Sequence, residues 1–574
     1  MANPFRFTRA TGLVVLAVAG VLLVSGCSGE REKTGGTRTG GSLTASLRSE
    51  PANYNRYVDP KAAADLLSLL MHARLVRINR ATDELEPALA ESWTPSADGL
   101  SYTLKLRSGV QFSDGHPFSS DDVLFSARAL YDPGVNSGLA GLIAVNGKPL
   151  VFEAPDPATV IVRFPGPFGP GLRLLDSFAI LPKHKLEGPL AAGRFAEATA
   201  AGTPPAEMVG LGPFVLKEHV TGQRMVFGRN PHYWKRDASG VQLPYLDQLT
   251  IAIVPDQNAE AVRMQSGEID LMSNGDIRPD DVPAFRRAGE AGRLRMLEVG
   301  IGLDPNLLWF NLTPAAASRL PLFHQRAFRQ AVSCAIDRAA VVNTVYLGAA
   351  VPIFGPVTPG NKTWYSDSAP KYPLDRARAR ELLASLKLAD SNGDGILEDA
   401  RHKPVRFSII TQQGNTIRER TASVIQEQLR QVGIGVDIAT MDQGALVARE
   451  QSGDFEMIYF GVQASSTDPV IGWSDFWFSR GGFHFWNPGQ KTPATEWEGR
   501  IDALMHRIES APALTERQQA FAEVQKIFGE EVPAIYLAAP KMTLAISSRV
   551  ANPQPAPQVP QLLWSADTLQ ASGR

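Results

Sequence analysis

Twice in this chain an apolar strand pattern passes into an amphipathic helix pattern and out into a second strand. The first unit reads LTIAIVP (residues 249–255), AEAVRMQSGEI (259–269) and IDLM (269–272). The second reads VRFSIIT (405–411), TIRERTASVIQEQLRQVG (416–433) and IGVDIATM (434–441). A continuous apolar run such as LTIAIVP is what a strand covered on both faces requires. The intervening helix supplies cover, and Gly433 stands where a helix ends in a left-handed cap. Strand–helix–strand units in both halves predict two α/β lobes. At 574 residues the chain is also too long for one ordinary core. No short-period repeat accompanies the two units.

Other segments are written as clearly. SLTASLR (42–48) predicts a short strand, followed by the loop SEPANYNRYVDP (49–60) and a helix over 62–71. In SADGLSYTLKLRSGVQFSDG (96–115), Tyr102, Leu104 and Leu106 alternate with Thr103, Lys105 and Arg107 between two Asp-Gly turns. That alternation predicts a half-buried antiparallel strand. Ser119-Ser120-Asp121-Asp122 predicts a helix N-terminus. Residues 195–209 are Ala/Pro-rich and predict a loop, and strands resume at PFVLKE and RMVFGR. In the second half, further helices are expected near 444–451 and over LTERQQAFAEVQKIFGEE (514–531), and strands at EMIYFGV and AIYLAA.

The N-terminal region predicts export. Arg6 and Arg9 precede the apolar run 12–24, which is too short for a comfortable permanent span and ends in VSGC. This resembles a bacterial lipobox, with Cys27 lipidated as the mature N-terminus. The alternatives are a signal peptide cleaved elsewhere or a short anchor helix. Residues 28–41, SGEREKTGGTRTGG, contain nothing apolar and predict a flexible tether. No later apolar stretch reaches spanning length, so the expected body is soluble and sits in the periplasm or at the cell surface. The second cysteine, Cys334, shares a helical face with Phe328, Ala331, Ala335 and Ile336 and is expected as a small buried apolar group. A net charge of −2 and a pI near 6.5 argue against a nucleic-acid partner, which leaves a basic footprint.

Catalytic signatures are missing from the sequence. It has no H-E-x-x-H, G-x-S-x-G or C-x-x-C, and its nine histidines include no i, i+4 pair. GLIAVNGKP (141–149) is one residue too long for a phosphate loop and carries Pro149 at the magnesium-binding position, so a hairpin loop is expected. Asp390, Asn392, Asp394 and Gly395 match the first half of a calcium loop, but Arg401 occupies the position of the closing glutamate. A solvated turn is the reading taken and no metal is expected; Glu398 or Asp399 is the carboxylate that would otherwise close the loop. WSDFWFSRGGFHFW (473–486) holds seven aromatics in fourteen residues against 8% for the chain. Two readings fit such a density, a ligand wall and a core plug of the second lobe.

LAESWTPSADGLSYTLKLRSGVQFSDGHPFSSDDVLFS (89–126) resembles the signature of the bacterial family 5 extracellular solute-binding proteins, the oligopeptide/dipeptide-binding components of ABC importers. The resemblance continues in register through AILPKHKLE, GLGPFVLKEHVTGQRMVFGRNPHYWKRD, LPYLDQLTIAIVPDQNAEAVRMQSGEIDLM, FRQAVSCAIDRAAVVNTVYLGAAVP and EEVPAIYLA, and covers nearly all of residues 42–540. It implies an α/β, type II periplasmic-binding-protein fold, two lobes around a hinge with an extra subdomain inserted in lobe I. The implied parts are lobe I over 42–305 with the subdomain at about 75–205, lobe II over 306–529, and a return to lobe I with a C-terminal tail over 530–574. Hinge closure on a solute needs aromatic walls and placed polar groups rather than bond-making residues, so no enzyme activity and no cofactor are expected.

The resemblance also implies a site. Peptide-binding members carry a segment like G-W-x-x-D-x-x-D/E-P, whose first Asp pairs with the peptide ammonium. Here the run is GVQASSTDP (461–469), with Val462 for Trp and Ser465 for Asp, while Asp468 and Pro469 remain. The expected ligand residues are Glu50, Asn53 and Tyr54 in the first loop and Trp309 and Asn311 at the lobe crossing. On lobe II they are Gln463, Ser465, Ser466, Asp468, Trp473, Phe483, His484, Phe485 and Trp486. Without the Asp, a hydroxyl-rich or flat apolar ligand suits the run better than a short peptide with a free N-terminus. The expected partners are the ligand, ABC permease subunits and the membrane through the lipid anchor, with the protein a monomer. A ligand sensor or chaperone-like module, and a secreted hydrolase, are the rival classes.

Overall fold

The computed structural model describes residues 39–273, 277–461 and 466–572, so Cys27, Gln463 and Ser465 lie outside the described residues. The first strand, Ser42–Leu47, lies at the centre of an eight-stranded sheet. It runs parallel to Gln248–Ile253 on one side and to Leu271–Met272 on the other. The helix Gln257–Ser266 makes the crossover between these two neighbours. Asp256 caps its N-terminus by accepting from the Ala259 N–H at 2.7 Å, and Gly267, at φ 83°, ends it in the left-handed region. The continuous apolar run of residues 249–254 is explained by cover on both faces, though the cover is uneven. Leu249, Ile251 and Ile253 are buried in the main core, while Ala252 packs less completely against the small cluster of Ala261, Met264 and Phe285. The sheet continues through Arg224–Arg229 to Phe214–Val220 at one edge, and through Ala538–Ser547 to Leu294–Ile301 at the other, and its eighth strand, Ala350–Pro352, pairs with the start of Ala538–Ser547.

The second unit builds a five-stranded sheet in the order Gly435–Met441, Arg406–Gln412, Met457–Phe460, Leu307–Phe310, Ala534–Tyr536. The first three are parallel, and Leu307–Phe310 is antiparallel to both of its neighbours. The crossover helix Thr416–Arg430 starts at an Asn415 cap, and Gly433 adopts φ 84°. The chain leaves the large sheet at Ile301 and enters this one at Leu307. It returns later than residue 530, because Ala534–Tyr536 still pairs with residues 307–309. Cys334 is buried in this lobe on the helix Arg326–Ala335, and burial raises its thiol pKa.

A third sheet, Ala90–Pro95, Ser101–Leu106, Thr159–Arg163 and Val151–Asp156, is wholly antiparallel. The alternating run sits in it as its pattern requires: Leu104 and Leu106 are buried and Lys105 is exposed. Asp98 makes the preceding turn, accepting from Ser96 Oγ at 2.6 Å and the Leu100 N–H at 3.0 Å. The helix Ser120–Tyr131 opens with a capping box between Ser119 and Asp122. The phosphate-loop look-alike is a tight hairpin between Ala144–Val145 and Lys148–Pro149, with Asn146 and Gly147 both at positive φ. Replacing Leu104 by Ala is expected to cost about 2–5 kcal/mol, whereas Lys105→Ala on the opposite face stays within about 1 kcal/mol. Urea unfolding of the two variants measures the contrast.

Candidate functional site

Strands of both lobes end at one cavity. Its volume is about 430 Å³, and it is lined by Gly302, Leu303 and Asp304 of the first crossing and by Pro540 and Lys541, just past the second. The first lobe contributes Arg48, just past the carboxyl end of Ser42–Leu47, together with Met542, Thr543 and Gln561. The second lobe contributes Asn306, Arg418 on the first turn of Thr416–Arg430, and Gly461 just past Met457–Phe460. Ligands of α/β sheets collect at the carboxyl ends of parallel strands because the loops there can diverge to leave a crevice.

The cavity wall is cationic. Arg48 Nε bonds Glu260 Oε2 at 2.7 Å, and the other oxygen of this buried carboxylate accepts from Ser46 Oγ at 2.5 Å. Arg418 donates from Nε to Asn306 Oδ1 at 2.9 Å, from Nη2 to the Gly461 carbonyl at 3.2 Å, and from Nη1 to Gln412. Its guanidinium carbon lies 3.9 Å from the centre of the Phe460 ring. Burial lowers its pKa against the opposing influence of Tyr459 and Tyr346, yet a guanidinium stays protonated. Lys541 is the third cation of the wall and Asp304 its acid.

Leu303 also walls a second, smaller cavity of about 50 Å³ inside the second lobe. Trp473, Phe476, Trp477, Phe521 and Tyr536 make it apolar, while Ser466, Thr467 and Asn361 give it a polar edge. Asn361 donates to the Thr467 carbonyl at 2.9 Å and leaves its own buried side-chain oxygen without a hydrogen-bond partner among the described residues.

Ser466 and Trp473 therefore sit on a cavity wall, and most of the other expected site residues do not. In the first loop, Glu50 bonds His219 and accepts from the Gly222 N–H at 3.0 Å, and the Tyr54 hydroxyl meets the other nitrogen of His219 at 2.5 Å. Burial, then the Glu50 charge, raises the Tyr54 pKa to about 12. Asn53 donates to the Ala196 carbonyl at 2.8 Å. These three residues fasten the first loop within the first lobe. Asn311 is fully buried and holds the carbonyls of Gly453 and Phe455 at 2.9 and 2.7 Å.

The aromatic run divides in favour of the core plug. Trp309 stacks on Phe485 at 4.9 Å, and Trp486 meets Phe528 of the helix Leu514–Glu531 at 5.7 Å. His484 and Trp486 both bond Glu498 Oε1, at 3.1 and 3.2 Å. Burial pushes the Glu498 carboxyl up, but the hydrogen bond and charge of His484, with Thr495 and Trp486, outweigh it and the pKa ends below the usual value. Phe483 is exposed and lines neither cavity.

Asp468 needs the sharpest correction. Both of its carboxylate distances to Arg517 Nη2 are 2.8 Å, and both side chains are buried. A charge so paired is structural, and it is not available to a ligand ammonium. In the calcium-loop look-alike, possible ligand atoms of Asp390, Asp394 and Glu398 lie within 4.8 Å of one another. Glu398 rather than Asp399 is the acid brought to the loop, where it accepts from the Ser391 N–H and hydroxyl at 2.7 and 2.6 Å.

A cavity walled by two lobes, between which the chain passes in two short strand-to-strand crossings, is shaped to open and close on a solute, the arrangement of type II periplasmic binding proteins. The chain belongs to the bacterial extracellular solute-binding proteins, family 5, whose middle-region model matches residues 84–484. Members of that family are solute-binding proteins that serve ABC transporters. Similar proteins include a probable ABC transporter-binding protein of Deinococcus radiodurans, 27% identical over 94% of this chain and 93% of the relative. The oligopeptide-binding protein AppA of Bacillus subtilis is 29% identical over 80% of this chain and 82% of its own length. The crystal structure of the substrate-binding protein CtaP from Listeria monocytogenes covers 93% of this chain and 100% of its own, with a TM-score of 0.75 at 23% identity. Among the described residues no helix is long and apolar enough to cross a membrane.

If the Asp468–Arg517 pair is structural, Arg517→Met strands a buried carboxylate and lowers stability by about 3–5 kcal/mol, and adding Asp468→Leu recovers much of the loss. Thermal unfolding of the ligand-free single and double variants distinguishes this from a ligand-anchoring role, which would leave ligand-free stability unchanged.

Proposed function

We propose that this chain captures an organic solute carrying an anionic group, such as a peptide carboxylate, in the cleft between its lobes. It then delivers the solute to the permease of an ABC importer. The observation that carries this reading is the wall of Arg48, Arg418 and Lys541 against Asp304, drawn from both lobes and the first crossing. An anion seated there contacts cations of each lobe at once, so its binding favours the closed arrangement. The smaller cavity beside Leu303, with Ser466 and Trp473 in its wall, suits an apolar substituent of the same ligand. Asp468, tied to Arg517, does not serve as an ammonium anchor, so the ligand is held by its acidic end. The B. subtilis relative bears the name of an oligopeptide-binding protein, which keeps peptides within the proposed class. Capture by closure uses no bond-making residues, so the chain acts as a binding protein and not as an enzyme. A lipid on Cys27, followed by the polar segment 28–41, holds the body outside the cytoplasm.

Calorimetric titration with short peptides, their N-acetylated and C-amidated forms, and simple organic acids tests the reading, with native mass spectrometry identifying any co-purified solute. N-acetylation is expected to leave affinity within a factor of a few, and loss of the carboxylate to weaken it about tenfold or more, about 1.4 kcal/mol. A ligand that needs its ammonium and tolerates amidation would overturn the proposal. Import itself is tested by ligand-dependent stimulation of the cognate transporter's ATPase; a sensor or chaperone-like module would leave that rate unchanged.

The mouth of the cleft has contacts of its own. Asp83, at φ 61°, accepts from Thr467 Oγ1 at 2.8 Å across the lobes, while Arg173 holds it from its own side at 2.7 Å. Asp83→Asn keeps the left-handed backbone and removes the charge. It is expected to raise the ligand Kd by about fivefold, about 1 kcal/mol, through the closed population alone. For the anchor, Cys27→Ser is expected to move the protein from the membrane to the soluble fraction with its melting temperature unchanged, since the first strand begins at Ser42.

A further inference from the structure

A third cavity lies wholly within the first lobe, where the antiparallel subdomain meets the large-sheet core, and it shares no lining residue with the interlobe cleft. It encloses about 90 Å³, room for several waters or one small tetrahedral ion. Its wall holds four cations, Arg74, Arg77, Arg80 and Lys235, and three acids, Glu86, Asp176 and Asp567.

Each acid is already engaged. Arg77 Nε bonds Glu86 at 2.9 Å, and Lys235 bonds Asp567 at 2.7 Å, with the Tyr233 hydroxyl on the same oxygen at 3.2 Å. The Asp176 carboxylate accepts from the Ile78 N–H at 2.7 Å, and its backbone carbonyl accepts from Arg74 Nε at 2.5 Å. Asp65, outside the wall, serves Arg56 at 2.9 Å and Arg74 at 3.7 Å. Arg80 adds its charge to those of Arg56 and Arg74 on Asp65, but its Nη1 is buried and has no hydrogen-bond partner among the described residues.

Two more buried polar atoms of wall residues share that condition, Trp234 Nε1 and His72 Nδ1. Arg and the indole of Trp can only donate. His72 is 8% exposed, and burial, then Arg74 and Arg56, lowers its pKa to about 4, so its neutral ring can also offer a nitrogen-bound hydrogen. A wall with one unsatisfied guanidinium nitrogen and two further donors has nothing to offer a cation. An apolar guest would leave the donors unpaired, at a cost in stability. The partner that satisfies them is an acceptor-only group with negative charge.

We infer that this cavity is a second binding site, for a small free oxyanion such as phosphate or sulfate, held by Arg80 and Trp234 with His72 at its side. The loop that carries Arg80, between Val76–Ile78 and Leu85–Pro87, also carries Asp83. Occupancy of this site and closure of the lobes therefore act on one short segment.

The test is the melting temperature of the intact protein in inorganic phosphate or sulfate, set against chloride at matched ionic strength. A saturable rise is expected in wild type. It should vanish in Arg80→Gln and persist in Lys541→Gln, which alters only the interlobe cleft. Should Arg80→Gln fail to fold, Trp234→Phe removes one donor, keeps a ring in place, and should raise the concentration of half-saturation severalfold. No saturable rise, a rise that survives Arg80→Gln, a rise lost with Lys541→Gln, or an unchanged half-saturation in Trp234→Phe would each overturn the assignment.

Discussion

A single residue, Leu537, separates a strand of one sheet from a strand of the other. Ala534–Tyr536 pairs in the five-stranded sheet, and Ala538–Ser547 runs through the eight-stranded one. With the earlier passage from Ile301 to Leu307, this brings both crossings to one place. The interlobe cavity follows from that constraint. Two sheets joined so tightly at one end can separate only at the other, and the carboxyl ends of their central parallel strands face the space that remains.

Pairing of buried charge decides what that space recognises. Asp468 is bound to Arg517 and Glu498 to His484, each inside the second lobe, while Glu260 holds Arg48 from the first. A buried carboxylate left unpaired costs several kcal/mol, so acids that support the fold are held by partners within the protein. Cations with long side chains keep their heads at the walls while their stems pack, as Arg418 does over Phe460. In the first-lobe cavity the acids line the wall but each already holds a donor, and Arg80 Nη1 is left without a hydrogen-bond partner among the described residues.

Local pattern made much of the architecture legible. The alternation in residues 102–106, the Ser119 cap, the left-handed Gly433, and the two strand–helix–strand units each depend on neighbours a few residues away. The hairpin at Asn146-Gly147 is of the same kind. The site was less legible. Density of aromatics in residues 473–486 marks a large buried payload, but it does not say whether a ring faces ligand or the helix Leu514–Glu531. Asp468 sits in a ligand-like motif, and only the approach of Arg517, 49 residues later, converts it to a structural ion.

By itself the sequence determined the layered α/β halves and the alternating antiparallel strand, because periodicity, caps and turns are properties of adjacent residues, and the resemblance of its long motifs carried the family and the inserted subdomain. Tertiary structure alone decided which charges are spent on the core and which face a cavity. Arg48 meets Glu260 across 212 residues, and Arg418 meets Asn306 across 112. Electrostatic pairing acts through space over a few ångströms, and no local pattern in the chain records which distant segments folding will bring that close.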